Sequence, residues 1–231
     1  MPLHSTSKGQ ALVCLPSLFY SNLMKTLLLT SAGMEIKEEI LNVLPKPANQ
    51  IKLAHIITAS KAQKDTSYVD KDVESMRGLG LSVANVDLEG KKEKDLRDIL
   101  QPFDVIYVQG GNTFYLLKWV KESGFDAVIE ELIGRGKIYI GVSAGSIIAG
   151  PDIEIAGWKG FDPNEIGLKD FSGLGCVPFC IFPHYKLEHS SFLKEEIAKY
   201  SYPVRILSDK QAFLVRDSEV TLVGEGEEIR F

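Results

Sequence analysis

The segment Gly141-Val142-Ser143-Ala144-Gly145 sets a serine between two glycines, directly after the strand-like run Lys137-Ile138-Tyr139-Ile140. A sharp strand-to-helix turn needs residues without Cβ around it. The serine hydroxyl then stands exposed at the edge of a sheet, and the following helix points amide N–H groups at it. Ser146-Ile147-Ile148-Ala149 continues as a small, apolar helix start, and Gly150-Pro151 stops it. Strand, turn and short helix therefore follow in the order a nucleophile elbow requires, and the chemistry it would serve is acyl transfer through Ser143.

Acyl transfer by serine also needs a base, a group that orients the base, and donors for the oxyanion. Four histidines are present: His4, His55, His184 and His189. His184 is the best base, because Ile181-Phe182-Pro183-His184 places it just past a buried strand, and strand C-termini are where open parallel sheets bind ligands. His55 reads as core, His189 as a helix start, and His4 lies in an atypical N-terminal stretch. Asp209, which leaves the strand-like Val204-Arg205-Ile206-Leu207, is a candidate orienting acid. Glu188, Asp170 and Asp152 are rivals that spacing alone does not exclude. One oxyanion donor would be the amide of Ala144, next to the nucleophile. A second is expected from Tyr107-Val108-Gln109-Gly110-Gly111-Asn112-Thr113, where two glycines close a strand and Asn112 caps a helix.

Taken in order, the run from Tyr107 to Leu117, Gly141-Val142-Ser143-Ala144-Gly145-Ser146, Phe182-Pro183-His184 and Leu207-Ser208-Asp209 resemble the peptidase E family of serine peptidases. That family includes aspartyl dipeptidases and, more distantly, cyanophycinases, and shares its fold with class I glutamine amidotransferase domains. The resemblance implies Ser143 as nucleophile, His184 as general base, Asp209 at the third position, and an oxyanion hole from Gly111 and Ala144. Gly110 and Asn112, in the turn between that strand and helix, are expected to bind substrate. The order Ser, His, Asp disfavours the α/β-hydrolase fold, whose order is Ser, Asp, His. Class I amidotransferases carry an elbow cysteine and a His-x-Glu pair, whereas this chain has Ser143, and Lys186 two residues after His184. Aspartyl dipeptidases of the family carry an arginine between the histidine and the acid. Residues 185–203 contain none, which weighs against a preference for an N-terminal aspartate.

The elements that must position these groups are legible as short apolar runs alternating with helical periods. Strands are expected near 25–30, 52–58, 82–87, 104–108, 137–142, 178–182 and 204–208. Helices are expected near 34–44, 67–79, 92–101, 112–122, 125–135 and 190–200. This predicts an α/β fold, three-layer and doubly wound around a mostly parallel sheet, class I glutamine amidotransferase-like, with a C-terminal β-hairpin turning at Arg216-Asp217-Ser218. Residues 150–175 read as a long irregular excursion leaving the elbow, expected to wall the site. Residues 1–23 read as a non-structural extension whose removal should leave folding and activity intact, and residues 24–231 as a single catalytic domain.

Composition bounds the rest. A chain of 231 residues with 45% hydrophobic content can bury one full core, and a net charge of −5 without a basic cluster argues against a nucleic-acid partner. No apolar run is long enough to span a bilayer. Three cysteines, Cys14, Cys176 and Cys180, form no Cys-x-x-Cys pair and fit a reducing, cytoplasmic compartment. The expectation is a cytoplasmic serine exopeptidase, as monomer or homodimer, acting on small peptides with no metal or organic cofactor. A cyanophycinase-like hydrolase, an esterase and a catalytically silent amidotransferase-like binding module are the alternatives.

Overall fold

Runs such as Leu27-Leu28-Leu29 and Val105-Ile106-Tyr107-Val108 are apolar at every position because both faces of the sheet they enter are covered. The computed structural model describes residues 24–231; the proposed extension, residues 1–23, lies outside the described residues. In chain order the strands are β1 (Thr26–Thr30), β2 (Lys52–Ile56), β3 (Ser82–Val86), β4 (Val105–Val108), β5 (Ile138–Val142), β6 (Cys180–Phe182), β7 (Val204–Ile206), β8 (Gln211–Arg216) and β9 (Glu219–Gly224). The α-helices are α1 (Lys37–Asn42), α2 (Ser67–Gly78), α3 (Glu93–Leu100), α4 (Thr113–Ser123), α5 (Phe125–Gly134), α6 (Ala144–Ile147) and α7 (Ser190–Ile197), with 3-10 turns between several of them.

The main sheet has the order β3-β2-β4-β5-β1-β8-β9. Its first five members run parallel, and β8 and β9 are antiparallel additions beside β1. Alternation assigns the layers: Leu27, Leu29, Ile106 and Val108 pack with residues of α3 to α6, whereas Leu28, Tyr107 and Ile140 pack with residues of α1 and α2. This is the expected three-layer α/β arrangement with its C-terminal hairpin, which turns at Asp217 with φ +52°. Helix ends fall where glycine permits left-handed backbone: Gly124 (φ +73°) stands between α4 and α5, so two short helices replace one long one. Among the described residues no helix is long and apolar enough to cross a membrane.

The structure differs from the sequence reading in one respect that bears on the site. The segments expected at 178–182 and 204–208 do not extend the main sheet; β6 and β7 pair with each other as a separate two-stranded parallel sheet. Two short apolar runs declare burial, not which partner completes their backbone hydrogen bonds. The main sheet thus delivers the C-terminal ends of β1, β4 and β5 to one edge, and the small sheet delivers the ends of β6 and β7 to the same place.

Candidate active site

Ser143 follows β5 with φ +47° and ψ −108°, a backbone conformation rare for residues other than glycine. Its surroundings hold it there. The Ser143 N–H donates to the Thr30 carbonyl at 3.0 Å, and its own carbonyl accepts from Ser146 and Ile147 at 2.8 and 2.9 Å. The buried Ser146 hydroxyl sits 2.7 and 2.8 Å from the carbonyls of Thr30 and Gly141. The glycines are dictated by contact: a Cβ on Gly145 would lie 2.1 Å from the Val108 carbonyl oxygen, and one on Gly141 would lie 2.6 Å from that of Gly145. The elbow is therefore pressed against β4, and only hydrogen fits in the gap.

His184 leaves β6 through Phe182-Pro183 and also takes a left-handed conformation, φ +56°. Its Nε2 lies 3.0 Å from Ser143 Oγ and its Nδ1 lies 2.6 Å from Asp209 Oδ1. Asp209 is projected by a turn after β7, in which the buried Gln211 amide oxygen accepts from the Ser208 amide and hydroxyl, each at 3.0 Å. The three side chains that sequence reading singled out are thus brought into one hydrogen-bonded line. The rival acids are occupied elsewhere: Asp170 pairs with Lys121, Asp152 accepts from Tyr200 at 2.7 Å, and Glu188 stands 3.9 Å from His189. The side chains of His184 and Asp209 are 49% and 50% exposed, so solvent screens the pair and its value lies in orientation rather than stability.

Gly110 and Gly111 close β4 against the elbow. A Cβ on Gly110 would meet Ser143 Cβ at 3.1 Å, and Gly111, with φ +142°, has no room for one beside the Ala59 carbonyl. The Gly110 carbonyl accepts from the Tyr68 hydroxyl at 3.2 Å. Ala144 is the first residue of α6, where an amide has no intrahelical acceptor. Asn112, expected to bind substrate, spends both ends of its amide within the protein. Its Oδ1 accepts the Tyr115 amide at 2.8 Å as the cap of α4, and its Nδ2 donates to the Pro163 carbonyl at 2.9 Å. These bonds fix the turn and tie it to the excursion after the elbow.

Ser143, His184, Gly110 and Gly111 border a cleft of about 720 Å³. Its lining includes the charged Glu35, Lys71 and Asp72 and the apolar Ile155, Phe161 and Phe182. The irregular stretch after the elbow does wall the site, supplying Ile155, Phe161 and Asp162. Burial pushes the carboxyls of Asp72 and Asp162 up from their ordinary range, against hydrogen bonds from Gln109 and Tyr107 to the first and from Thr113 to the second. Ser31, at the end of β1, was not foreseen: its Oγ donates to Asp209 Oδ1 at 3.0 Å and accepts the His184 backbone N–H at 2.7 Å. Nothing in the local sequence marks it, since its partners lie more than 150 residues away.

The sequence model of peptidase family S51 matches residues 27–223, a span that runs from β1 into β9. The chain belongs to peptidase family S51. It is accordingly a serine-type peptidase. An uncharacterized peptidase of Listeria innocua is 32% identical over 200 residues, covering 85% of this chain and 95% of its relative. Peptidase E of Salmonella arizonae is 33% identical over 169 residues, 70% of this chain and 69% of that protein. The crystal structure of a candidate peptidase E protein from Listeria monocytogenes superposes with a TM-score of 0.78 at 29% identity, covering 88% of this chain and all of that one. A peptidase from an acI-B1 Actinobacterium, at 17% identity and a TM-score of 0.60, shares the fold of this S51 chain.

Proposed function

We propose that this S51 peptidase is an exopeptidase that cleaves short peptides through a Ser143-His184-Asp209 triad and an acyl-enzyme. The observation that carries the reading is the continuous line from Ser143 Oγ to His184 Nε2, 3.0 Å, and from His184 Nδ1 to Asp209 Oδ1, 2.6 Å. With its Nδ1 proton donated to Asp209, the imidazole presents an unprotonated Nε2 to the serine hydroxyl. Ser143 attacks the scissile carbonyl as His184 takes its proton, and the imidazolium passes that proton to the leaving amine. The amides of Gly111 and Ala144 receive the oxyanion, and Gly110 borders the bound peptide. Water then repeats the sequence in reverse to release the acyl group.

A cleft of about 720 Å³ supports a substrate of a few residues, since sites of this size enclose small ligands. Among the described residues the lining holds no arginine, which supports a preference other than N-terminal aspartate. Residues 24–231 act as one catalytic unit in this proposal. Cytoplasmic residence belongs to it as well, supported by Cys176 and Cys180 as free thiols. The test is a dipeptide and tripeptide panel, run beside short esters on wild type and Ser143→Ala, with fluorophosphonate labelling of Ser143. Hydrolysis of peptides by wild type alone is the expected result. Labelling without peptide turnover would sink the peptide assignment, and an unlabelled Ser143 would sink the nucleophile.

A further inference from the structure

We propose that Tyr68 is a positioning residue of the oxyanion hole: its hydroxyl, bonded to the Gly110 carbonyl, sets the plane of the Gly110–Gly111 peptide and so aims the Gly111 N–H at the carbonyl that Ser143 attacks. The inference rests on the proposed nucleophile and adds to its site a residue from α2.

The peptide unit between Gly110 and Gly111 is trans, so the Gly110 C=O and the Gly111 N–H lie in one rigid plane and point in opposite directions. Whatever fixes one fixes the other. Among the described residues the Gly111 N–H finds no acceptor, although the amides on either side do. Gly110 N–H donates to Gln109 Oε1, and Asn112 N–H donates to the Ala59 carbonyl, each at 3.0 Å. A Cβ built on Gly110 would come within 3.8 Å of Ser143 Oγ, so this plane stands beside the reactive hydroxyl. A donor left out of the protein's own bonds at that place is what a developing oxyanion requires.

Such a plane needs an anchor from outside. Neither Gly110 nor Gly111, the latter at φ +142°, brings a side chain that would resist its rotation. The half-buried Tyr68, which lines the cleft, supplies the anchor by donating its hydroxyl to the Gly110 carbonyl at 3.2 Å. Burial, and then the carboxylates of Asp72, Asp65 and Asp162, push the phenol up to about 12, so at neutral pH it keeps the proton it donates. A hydrogen bond to the carbonyl oxygen also polarises the peptide and strengthens its N–H as a donor.

The same helix holds Gly110 a second time. Asp72, one turn beyond Tyr68 and on the same face of α2, accepts Gln109 Nε2 at 2.7 Å, and Gln109 in turn accepts the Gly110 N–H. Both polar groups of Gly110 are thus secured from α2, one directly and one through Gln109. Val73 and Met76, buried in the core that also contains Tyr107, seat the helix against the sheet.

Tyr68→Phe removes one oxygen and keeps the ring. The test reads the rate of fluorophosphonate labelling of Ser143 across pH in the full chain. The probe's phosphoryl oxygen takes the oxyanion's place, and the midpoint of the profile reports the base. In Tyr68→Phe the plateau rate is expected to fall about tenfold, with the midpoint unmoved. Replacing Tyr68 by a ring-fluorinated tyrosine, a stronger donor while protonated, should label faster than wild type at a pH where that phenol keeps its proton. A purely structural ring would not respond to fluorination in this way. A plateau in Tyr68→Phe within about twofold of wild type overturns the positioning role. So does a shifted midpoint, which would place Tyr68 on the base instead. A fluorinated protein no faster than wild type overturns it as well, even where Tyr68→Phe fails to fold. All three outcomes leave a labelled wild-type Ser143 and the proposed function standing, whereas an unlabelled wild type removes that function and this inference together.

Discussion

The Ser31 hydroxyl and the Asp209 carboxylate are joined at 3.0 Å across the junction of the two sheets, and the same oxygen receives the His184 backbone N–H at 2.7 Å. One small side chain therefore fixes both the proposed orienting acid and the left-handed backbone of the proposed base. Ser31→Ala leaves the His184 amide without its acceptor and frees Asp209 to rotate. Loss of a hydrogen bond to a charged group predicts a fall in kcat of about tenfold or more, with KM little changed. Steady-state kinetics on any turned-over peptide decides it, and recovery in Ser31→Thr, which restores the hydroxyl, would separate positioning from general loss of structure.

Ser143→Ala and His184→Ala are each expected to lower kcat by several orders of magnitude while unfolding near the wild-type temperature. The elbow is held by Gly141, Gly145 and Ser146 rather than by the reactive hydroxyl. Asp209→Asn should cost on the order of 10³ to 10⁴, because an amide favours the wrong imidazole tautomer. A loss below tenfold would contradict the 2.6 Å contact as a working part of the site.

Two glycine substitutions should separate fold from function. In Gly145→Ala the new methyl would lie 2.1 Å from a backbone carbonyl that has no room to retreat, so roughly 2–4 kcal/mol of stability should be lost. In Gly110→Ala the methyl meets Ser143 Cβ at 3.1 Å, a conflict relieved by moving the serine a few tenths of an ångström. Thermal unfolding should barely register that change, whereas turnover should fall about tenfold or more. Equal effects of the two variants on melting and turnover would refute the distinction.

The buried His55 gives stability a pH dependence of its own. Burial lowers its pKa from 6.5 to about 4, against the hydrogen bond its Nδ1–H donates to Asn85 Oδ1 at 3.0 Å, and among the described residues its Nε2 has no partner. Between those two values the unfolded chain holds more protons than the folded one, so stability rises with pH across that window. The contribution is complete above 6.5, absent below 4, and amounts to about 3 kcal/mol. Denaturant titrations from pH 4 to 7 should show this slope, and His55→Gln should flatten it.

How far the sequence reveals this molecule depends on whether each signal is local. The central strands β4 and β5 are legible because burial on both faces leaves them without a charged or exposed position, and α4 because Asn112 caps it and Gly124 ends it. The elbow is legible because steric demand leaves glycine as the one solution at two fixed positions. Ser31 is not, since a serine ending a strand is ordinary until its partners arrive from elsewhere in the chain. Asp162 lies in a stretch without periodicity, and it is held at the cleft by Thr113, 49 residues earlier. The pairing of β6 with β7 is hidden for a related reason: composition reports that a segment is covered and is silent about its neighbour.

That small sheet has a consequence for how such a centre could be remodelled. His184 and Asp209 emerge from adjacent strands of one two-stranded unit, whereas Ser143 belongs to the large scaffold. In the proposed mechanism, proton relay and attacking atom are therefore separately mounted parts, docked along a seam. An exchange of the attacking residue alters one side of that seam and leaves the relay's internal alignment untouched.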